Sequence, residues 1–371
     1  MRILQIGKFF APHRGGMESH LQHLCPRLAK KVELDVVVFG NPEREFTERF
    51  GFRLHRVRTQ AVIASAPVSL ELTSKIASIP ADIVHIHHPN PTAIQAYLAS
   101  GHKGRLVVTY HSDIVRQKIL GKLISPVLER AWRRTRRFMV ASPDYIESSP
   151  VLSRYRSRSI AIPHGIELEE QRTPTEAEVA AIRARFPGGL LLAVGRLVGY
   201  KGFEYLVDAM SKVAESGNAA QLAIVGVGPL KENLTSQITR LNLTGRVHLL
   251  ERVDDLAPYF AAADIFVLPS IDRNEAYGFV QVEAMAYGLP VINTNLQSGV
   301  PFVSRHNETG LTVPPCDSGA LAAAILDLVQ DTAKRKTFGH AARERAYGEF
   351  SAEKMVERTL SVYEEVATEP A

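Results

Sequence analysis

The sequence has few cysteines and no long apolar run. Only Cys25 and Cys316 occur among its 371 residues, so we predict neither a disulfide framework nor a cysteine-rich zinc site. No segment approaches the roughly 20 apolar residues of a membrane-spanning helix. Gln5, Gly7 and Lys8 interrupt the first apolar stretch, which is not typical of a signal peptide. We therefore expect a cytoplasmic protein.

Charge is distributed unevenly along the chain. The overall composition, 45% hydrophobic and 22% charged residues, is ordinary for a globular protein, and the length suggests two domains. Residues 1–170 carry 25 Lys and Arg against 15 Asp and Glu, whereas the remainder is net negative, for a total of +5. This asymmetry predicts a basic first half that faces an anionic partner.

Short apolar runs rich in Val and Ile recur in two series, each run followed by a helical pattern. Unbroken apolar strands separated by helices are typical of parallel sheets covered on both faces. The fold class is therefore α/β, with two facing Rossmann-like, doubly wound domains and a cleft between them. The predicted strands are Arg2–Ile6, Val36–Phe39, Ile83–Ile86, Leu106–Thr109, Phe138–Val140 and Ser159–Ile162, then Leu190–Val194, Gln221–Val225, Val247–Leu249, Ile265–Leu268, Val291–Asn293 and Leu311–Val313.

The domain boundary is predicted within the strand-poor stretch Pro163–Pro187. We expect an acceptor-side domain over 1–166 and a donor domain over 167–349. Residues 350–371 should form a helix that crosses back to the first domain. Ligands should lie beyond the carboxyl ends of the strands.

Three glycine-containing loops follow predicted strands. Gly15 and Gly16 open a helix after the first strand, where free N–H groups suit a phosphate; the alternative is a plain tight turn. Arg196 and Lys201 lie between a strand end and a helix start. These two cations could clamp a diphosphate, although a solvated loop is the other interpretation. Gly226-x-Gly228 lacks a third glycine and does not indicate NAD binding.

Two glutamates occur in the most informative stretch, Leu268–Pro290. Glu275 lies on a predicted loop, and Glu283 lies in the middle of a predicted helix from Gly278 to Tyr287. A helical path would put their Cα atoms about 12 Å apart, whereas a retaining glycosidase needs carboxyl groups about 5 Å apart. We therefore favour two glutamates that bind different parts of one ligand over a pair that hydrolyses a glycosidic bond.

This stretch, with Gly278-Phe279 between the glutamates and Ala284-Met-Ala-x-Gly288-x-Pro290 after them, resembles the retaining glycosyltransferases of the GT-B fold, family 4. The resemblance extends over nearly the whole chain. Its other segments are Gly15–Glu18, Asp82–His85, His111-Ser112, Ile162–Ile166, Gly195–Gly202, Gly226–Pro229 and Glu308–Leu311.

The resemblance implies roles for donor-binding and catalytic residues. Glu275 would hydrogen-bond hydroxyls of the transferred sugar, and Glu283 would hold the ribose of the nucleotide. Arg196 and Lys201 would neutralise the diphosphate leaving group. Main-chain N–H groups of Gly278 and Phe279 would contact the sugar, Gly15 and Gly16 would approach phosphate or acceptor, and His111 would contact the donor sugar near the anomeric carbon. A capping or core histidine is the alternative for His111.

The resemblance also implies the substrates. The enzyme would be a metal-independent hexosyltransferase without a cofactor, because the nucleotide-sugar is a co-substrate. GDP-mannose is the first expectation for the donor and a UDP-sugar the second. The acceptor would be a glycan or a polyprenol- or lipid-linked sugar in bacterial polysaccharide or glycolipid assembly.

Histidines and basic residues give two further signals. His85, His87 and His88 follow one another along a predicted strand, but no acidic or cysteine ligands accompany them, so we predict no metal site.

Residues 116–137 combine a helical apolar stripe with many Lys and Arg side chains. That pattern fits either a core-packed helix with a solvated face or a surface that docks on anionic lipid. Nucleic acid is disfavoured because no recognition motif is present.

Other functions remain for this fold. A sugar-nucleotide 2-epimerase or a glycan phosphorylase is the alternative within it, although no lysine suits a pyridoxal phosphate Schiff base. A non-enzymatic two-domain sugar-binding protein would not need Arg196, Lys201 and Glu283 together.

Overall fold

The computed structural model describes residues 1–13, 15–41, 51–63, 66–112, 118–168, 171–251 and 253–370, without the side chains of 118–123. The chain divides into two compact units, 1–165 with 351–371, and 166–350. The helices are α1 (Gly16–Leu28), α2 (Leu72–Ser78), α3 (Pro91–Ser100), α4 (Lys118–Arg134), α5 (Pro143–Ser148), α6 (Glu176–Arg185), α7 (Phe203–Glu215), α8 (Lys231–Arg240), α9 (Ala257–Ala262), α10 (Phe279–Ala286), α11 (Val300–Val303), α12 (Ser318–Gln330), α13 (Thr332–Glu349) and α14 (Ala352–Thr368). The strands are β1 (Arg2–Ile6), β2 (Glu33–Gly40), β3 (Arg53–Arg58), β4 (Ala61–Ile63), β5 (Ala66–Val68), β6 (Ile83–His88), β7 (Arg105–Tyr110), β8 (Thr135–Val140), β9 (Ser159–Ala161), β10 (Leu190–Val194), β11 (Gln221–Val225), β12 (Val247–Leu250), β13 (Ile265–Leu268), β14 (Val291–Thr294) and β15 (Gly310–Val313).

Each unit contains one parallel sheet of the doubly wound type. The strand order is β3-β2-β1-β6-β7-β8-β9 in the first unit and β12-β11-β10-β13-β14-β15 in the second. The central strands β6 and β13 are buried along their whole length, and β1 and β10 are buried except at one terminal residue each, because helices cover both faces of each sheet. In both sheets the strand order reverses beside the first strand, and such a switch point is where these folds bind ligands.

Three strands were not predicted. β3 is mostly polar, with Leu54 and Val57 as its only apolar residues, and β4 and β5 form a short antiparallel hairpin. An unbroken apolar run marks a strand buried on both faces, so it misses an edge strand such as β3. Asp35 anchors β3, because its carboxylate accepts hydrogen bonds from Arg53 and His55 at 2.6 and 2.7 Å. Burial alone would raise the pKa of the Asp35 carboxyl, but these hydrogen bonds outweigh it and lower the pKa to about 2.

The last helix belongs to the first unit. Met355, Val362 and Tyr363 of α14 are buried in one hydrophobic cluster with Leu21 and Cys25 of α1. The Arg27 guanidinium also lies 3.1 Å from the Glu353 carboxylate. Residues 351–371 therefore complete the core of the first unit.

The apolar stripe predicted within the basic segment 116–137 lies in α4, whereas the last basic residues of the segment follow that helix. Residues 113–117 and the side chains of 118–123 lie outside the described residues. α4 ends at Arg134, and Arg136 and Arg137 belong to β8. Arg137 forms ion pairs with Glu365 and Glu369, so its charge is directed at the C-terminal segment of the chain.

The Gly226-x-Gly228 sequence is explained by a close approach of β10 and β11. A Cβ atom at Gly226 would overlap the carbonyl oxygen of Gly195. We expect Gly226→Ala to lower the free energy of unfolding by about 1–3 kcal/mol, measured by urea denaturation. Gly199→Ala is the matched control, because nothing lies within 4 Å of its Cβ position. Equal midpoints for the two variants would contradict this explanation.

Candidate active site

The carboxyl ends of β10 and β13 define the switch point of the second unit. Gly195 and Arg196 follow β10 directly, whereas Ser270 and Glu275 lie in the loop after β13. A short 3-10 turn, Gly199–Lys201, then leads into α7. Charged residues from two separate loops therefore meet where a doubly wound sheet binds its ligand.

Lys201 and Glu275 form a buried ion pair. The Lys201 Nζ lies 2.5 Å from the Glu275 Oε2, and the Ser270 hydroxyl donates to the same oxygen at 2.9 Å. Both charged side chains are only about a tenth exposed. Each charge compensates the other in a place where an isolated charge would be costly.

The backbone holds the two loops together. Ile271 N–H donates to the Tyr200 carbonyl at 2.8 Å. Gly202 has a φ of +66°, and a Cβ atom there would overlap the carbonyl oxygen of Pro269. Glycine is therefore required for the approach that brings Lys201 to Glu275.

Arg196 differs from Lys201 in its surroundings. Its residue is exposed, and no side-chain partner for its guanidinium is found among the parts of the chain that the structure describes. The two predicted diphosphate contacts therefore consist of one buried, paired ammonium and one solvent-facing guanidinium. The guanidinium fork keeps its full capacity for bidentate binding of an anion.

α10 begins at a glycine that no other residue could replace without strain. Gly278 has a φ of +72°, and a Cβ atom there would lie 2.6 Å from the Leu268 Cδ2. Phe279 is the first helical residue. Backbone N–H groups in the first turn of a helix lack partners within the helix, so this end can donate to a polar ligand.

Glu283 projects from the middle of α10 and is partly buried. Burial raises the pKa of its carboxyl to about 7. Within the described ranges its carboxylate has no hydrogen-bond or ion-pair partner. A carboxylate held without a partner suits a ligand that donates hydrogen bonds, as a ribose does through its two hydroxyls.

Two buried amides, which the sequence analysis missed, fix the position of α10. The Gln281 Nε2 donates to the Tyr277 carbonyl at 2.8 Å. The Asn293 Nδ2 donates to the Val300 and Ser304 carbonyls, each at 3.1 Å. A polar residue within an apolar strand was the available signal for Asn293, because buried amides need partners.

In the first unit, Gly15 precedes α1 and Gly16 begins it. Glu18, which is buried, lies against Gly15, and a Cβ atom at Gly15 would overlap its carboxylate. An acidic side chain in the first turn is favourable to the helix dipole. The phosphate contact expected of Gly15 and Gly16 stays a prediction, and such a contact would have to accommodate the Glu18 carboxylate.

His111 follows β7 and belongs to a group of packed imidazoles. Its Nε2 lies 3.1 Å from the Nδ1 of His87. Its ring also packs against His20 and His164, at centroid distances of 5.1 and 5.2 Å. Burial first, and then the neighbouring imidazoles, lower the pKa of His111 well below its usual value. His111 is therefore a neutral ring at physiological pH.

A hydrogen-bond chain fixes the tautomers of this group. The Gln5 Nε2 donates to the Tyr363 hydroxyl at 2.7 Å, so the Gln5 Oε1 faces the His87 Nε2 and accepts a hydrogen bond from its N–H at 2.8 Å. The His87 Nδ1 is therefore the acceptor toward His111. The helix α14 thus orients His111 through Tyr363, Gln5 and His87.

The other two histidines of the predicted strand have separate surroundings. His85 lies between the Tyr363 hydroxyl, at 2.5 Å, and the Thr109 hydroxyl, at 2.7 Å. His88 packs against Tyr110 and Trp132. Both serve the core of the first unit.

The two units are thus doubly wound α/β folds, and the second has charged side chains at its switch point, where such folds bind ligands. Residues 14–170 match the family described as Glycosyltransferase Family 4, and residues 181–345 match that described as Glycosyl transferases group 1. A D-rhamnosyltransferase of Pseudomonas aeruginosa is 31% identical over 95% of this chain and 93% of its own. An O-antigen chain mannosyltransferase of Escherichia coli is 30% identical over 98% of both chains. The chain therefore belongs to the GT-B-fold glycosyltransferases of family 4.

A solved structure supports the fold. The Anabaena protein HepE in complex with UDP superposes with a TM-score of 0.79 at 20% identity, over 98% of this chain and 100% of that one. The predicted α/β fold class and the family resemblance are confirmed. None of the described helices is both long and apolar enough to cross a membrane.

Proposed function

We propose that the protein is a retaining hexosyltransferase that needs no metal and transfers mannose from GDP-mannose, or else a hexose from a UDP-sugar. The acceptor is a glycan or a lipid-linked sugar in bacterial polysaccharide or glycolipid assembly. The observation that carries this proposal is the switch point of the second unit, where a buried Lys201–Glu275 pair lies beside an unpaired Arg196.

The donor would be held by complementary groups. Glu283 accepts from the ribose hydroxyls, and the first turn of α10 donates to the sugar. Arg196 binds the diphosphate, and Lys201 shifts part of its interaction from Glu275 to the leaving phosphate as negative charge develops there. Glu275 is then available to accept from a sugar hydroxyl.

The chemical step needs no covalent nucleophile from the chain. The bond between the anomeric carbon and the phosphate oxygen breaks, and the acceptor hydroxyl attacks from the same face. The departing phosphate takes the acceptor's proton. His111, a neutral imidazole, contacts the donor sugar without adding a positive charge near the forming oxocarbenium ion.

The names of the relatives favour the substrate class. Besides the two relatives above, a Mycobacterium leprae phosphatidyl-myo-inositol mannosyltransferase is 28% identical over 99% of this chain. These names share the transfer of mannose or rhamnose, and two of them name an acceptor, an O-antigen chain or phosphatidyl-myo-inositol. A lipid-linked acceptor also fits a cytoplasmic protein that associates peripherally with the inner face of the membrane through its basic half.

The test is a panel of nucleotide-sugars. GDP-mannose is expected to give the largest thermal stabilisation, followed by release of the nucleoside diphosphate only when a glycan or polyprenol-linked acceptor is present. The product should keep the α configuration by NMR, and EDTA should not lower the rate. Sugar isomerisation without an acceptor would identify an epimerase instead and contradict the proposal.

A further inference from the structure

Three imidazoles of the first unit bring their ring nitrogens together. One nitrogen each from His20 on α1, His87 at the end of β6 and His111 after β7 all lie within 4.8 Å of one another. No other such group of potential ligands was found in the described part of the chain. The His87 Nδ1 and the His111 Nε2 are already 3.1 Å apart, close to the roughly 3.3 Å between ligands of a tetrahedral zinc ion with 2.0–2.1 Å bonds.

His87 is oriented as a metal-binding histidine is. Such a ring usually donates its second N–H to a carbonyl or carboxylate, which fixes its tautomer. The His87 Nε2 donates to the Gln5 Oε1 at 2.8 Å, and the Gln5 amide is itself held by the Tyr363 hydroxyl. The lone pair on the His87 Nδ1 therefore faces the cluster.

His20 has a nitrogen without a partner. Its Nδ1 is buried and makes no hydrogen bond in the described structure, although a buried polar atom normally has one. The ring packs against His87 and His111 at centroid distances of 5.3 and 5.1 Å. Because His111 is only partly buried, an ion can reach the cluster from its side.

We propose that His20, His87 and His111 form a binding site for one zinc ion, with an open fourth position for water or a phosphate oxygen. Three imidazoles with one open position are an established zinc geometry. The ion replaces the His111–His87 hydrogen bond: the proton on the His111 Nε2 moves to Nδ1, and the freed Nε2 becomes a ligand. A small rotation of His20 closes the remaining distance.

Zinc takes no part in the catalytic step proposed above, although His111 belongs to both sites. Bound zinc would turn His111 away from the donor sugar, so zinc would inhibit the transferase. This consequence rests on the proposed function, whereas binding does not, and binding is measured without any substrate. A protein that binds zinc but transfers no sugar would contradict only the proposed function.

The test is titration of the full chain, stripped with a chelator, with Co²⁺ and then Zn²⁺. We expect one Co²⁺ per chain with the visible absorption of tetrahedral coordination, displaced by one equivalent of Zn²⁺. Loss of an outer partner alone weakens metal binding by about 10- to 100-fold, so His20→Ala and His87→Ala should each weaken it by at least about 100-fold. His340→Ala, at an exposed histidine of α13, is the matched control.

His20→Gln separates the loss of a zinc ligand from misfolding, because the variant keeps a polar side chain of similar size. Its melting temperature without metal should stay near that of the parent chain, while zinc should no longer raise it. Absence of stoichiometric binding to the parent chain would overturn the proposal. Equal affinities for the parent chain and a folded His20 variant would also overturn it.

Discussion

Lys201→Ala is expected to lower kcat by about 100- to 1000-fold at saturating donor, because the variant lacks a cation that stabilises the departing diphosphate. The same change should lower the free energy of unfolding by about 3–5 kcal/mol. The reason is that the Glu275 carboxylate, only about a tenth exposed, loses its ammonium partner and keeps only the Ser270 hydroxyl. Nucleoside diphosphate release and urea denaturation measure the two effects.

A double variant tests whether Lys201→Ala lowers activity only by destabilising the fold. Lys201→Met with Glu275→Gln removes both buried charges, and replacing a buried pair by neutral groups of similar size is often close to neutral for stability. We therefore expect stability to recover and activity to stay low. Recovery of both would mean that Lys201 acts only through folding, and an unchanged kcat in Lys201→Ala would reject the electrostatic role.

Arg196→Ala provides the matched comparison. Arg196 is assigned to the same diphosphate but is exposed, so its removal should change stability by no more than about 0.5 kcal/mol while still lowering kcat/KM. Arg196 should therefore contribute to donor binding but little to stability, whereas Lys201 should contribute to both.

The sequence predicts the fold far better than the contacts within the site. β1, β10, β11 and β13 have the predicted bounds, because strands buried on both faces consist mainly of apolar residues. β3 was not predicted because this edge strand contains only two apolar residues, Leu54 and Val57.

The contacts depend on which strands become neighbours. Lys201 and Glu275 are 74 residues apart and meet only because β10 lies next to β13 in the sheet. The sequence analysis assigned each of them to a ligand, and nothing local indicates that they bind each other. His20 was missed for the same reason: it lies on a helix far along the chain from His87 and His111, and only the packing of α1 on the sheet brings them together.

Binding of the ribose should depend on pH through Glu283. Its pKa is raised to about 7 by burial, and a protonated carboxyl cannot accept from both ribose hydroxyls. Affinity for the nucleoside should therefore increase as the pH rises, by up to about tenfold per unit below pH 7, and level off above it. Calorimetry near pH 6 should show release of close to one proton per nucleoside bound.

In the protein without ligand, the raised pKa of Glu283 makes the free energy of unfolding fall as the pH rises, whereas the affinity for the nucleoside increases. The folded state binds the proton of Glu283 more tightly than the unfolded state, whose carboxyl has a pKa near 4.5. The stability from this proton is therefore complete below pH 4.5 and is lost as the pH rises through 7. Nucleoside binding and folding thus respond to the same carboxyl with opposite signs.

Glu283→Gln is the control for the pH dependence of both nucleoside affinity and stability, because its amide has a similar size and does not titrate. The variant should bind the nucleoside more weakly at pH 8, show no change in affinity between pH 6 and 8, and lose the corresponding slope in stability. The nucleoside is used in place of the diphosphate so that phosphate ionisation and the cations Arg196 and Lys201 do not contribute. A pH dependence that persists in Glu283→Gln would assign the titration to another group and remove Glu283 from the ribose site.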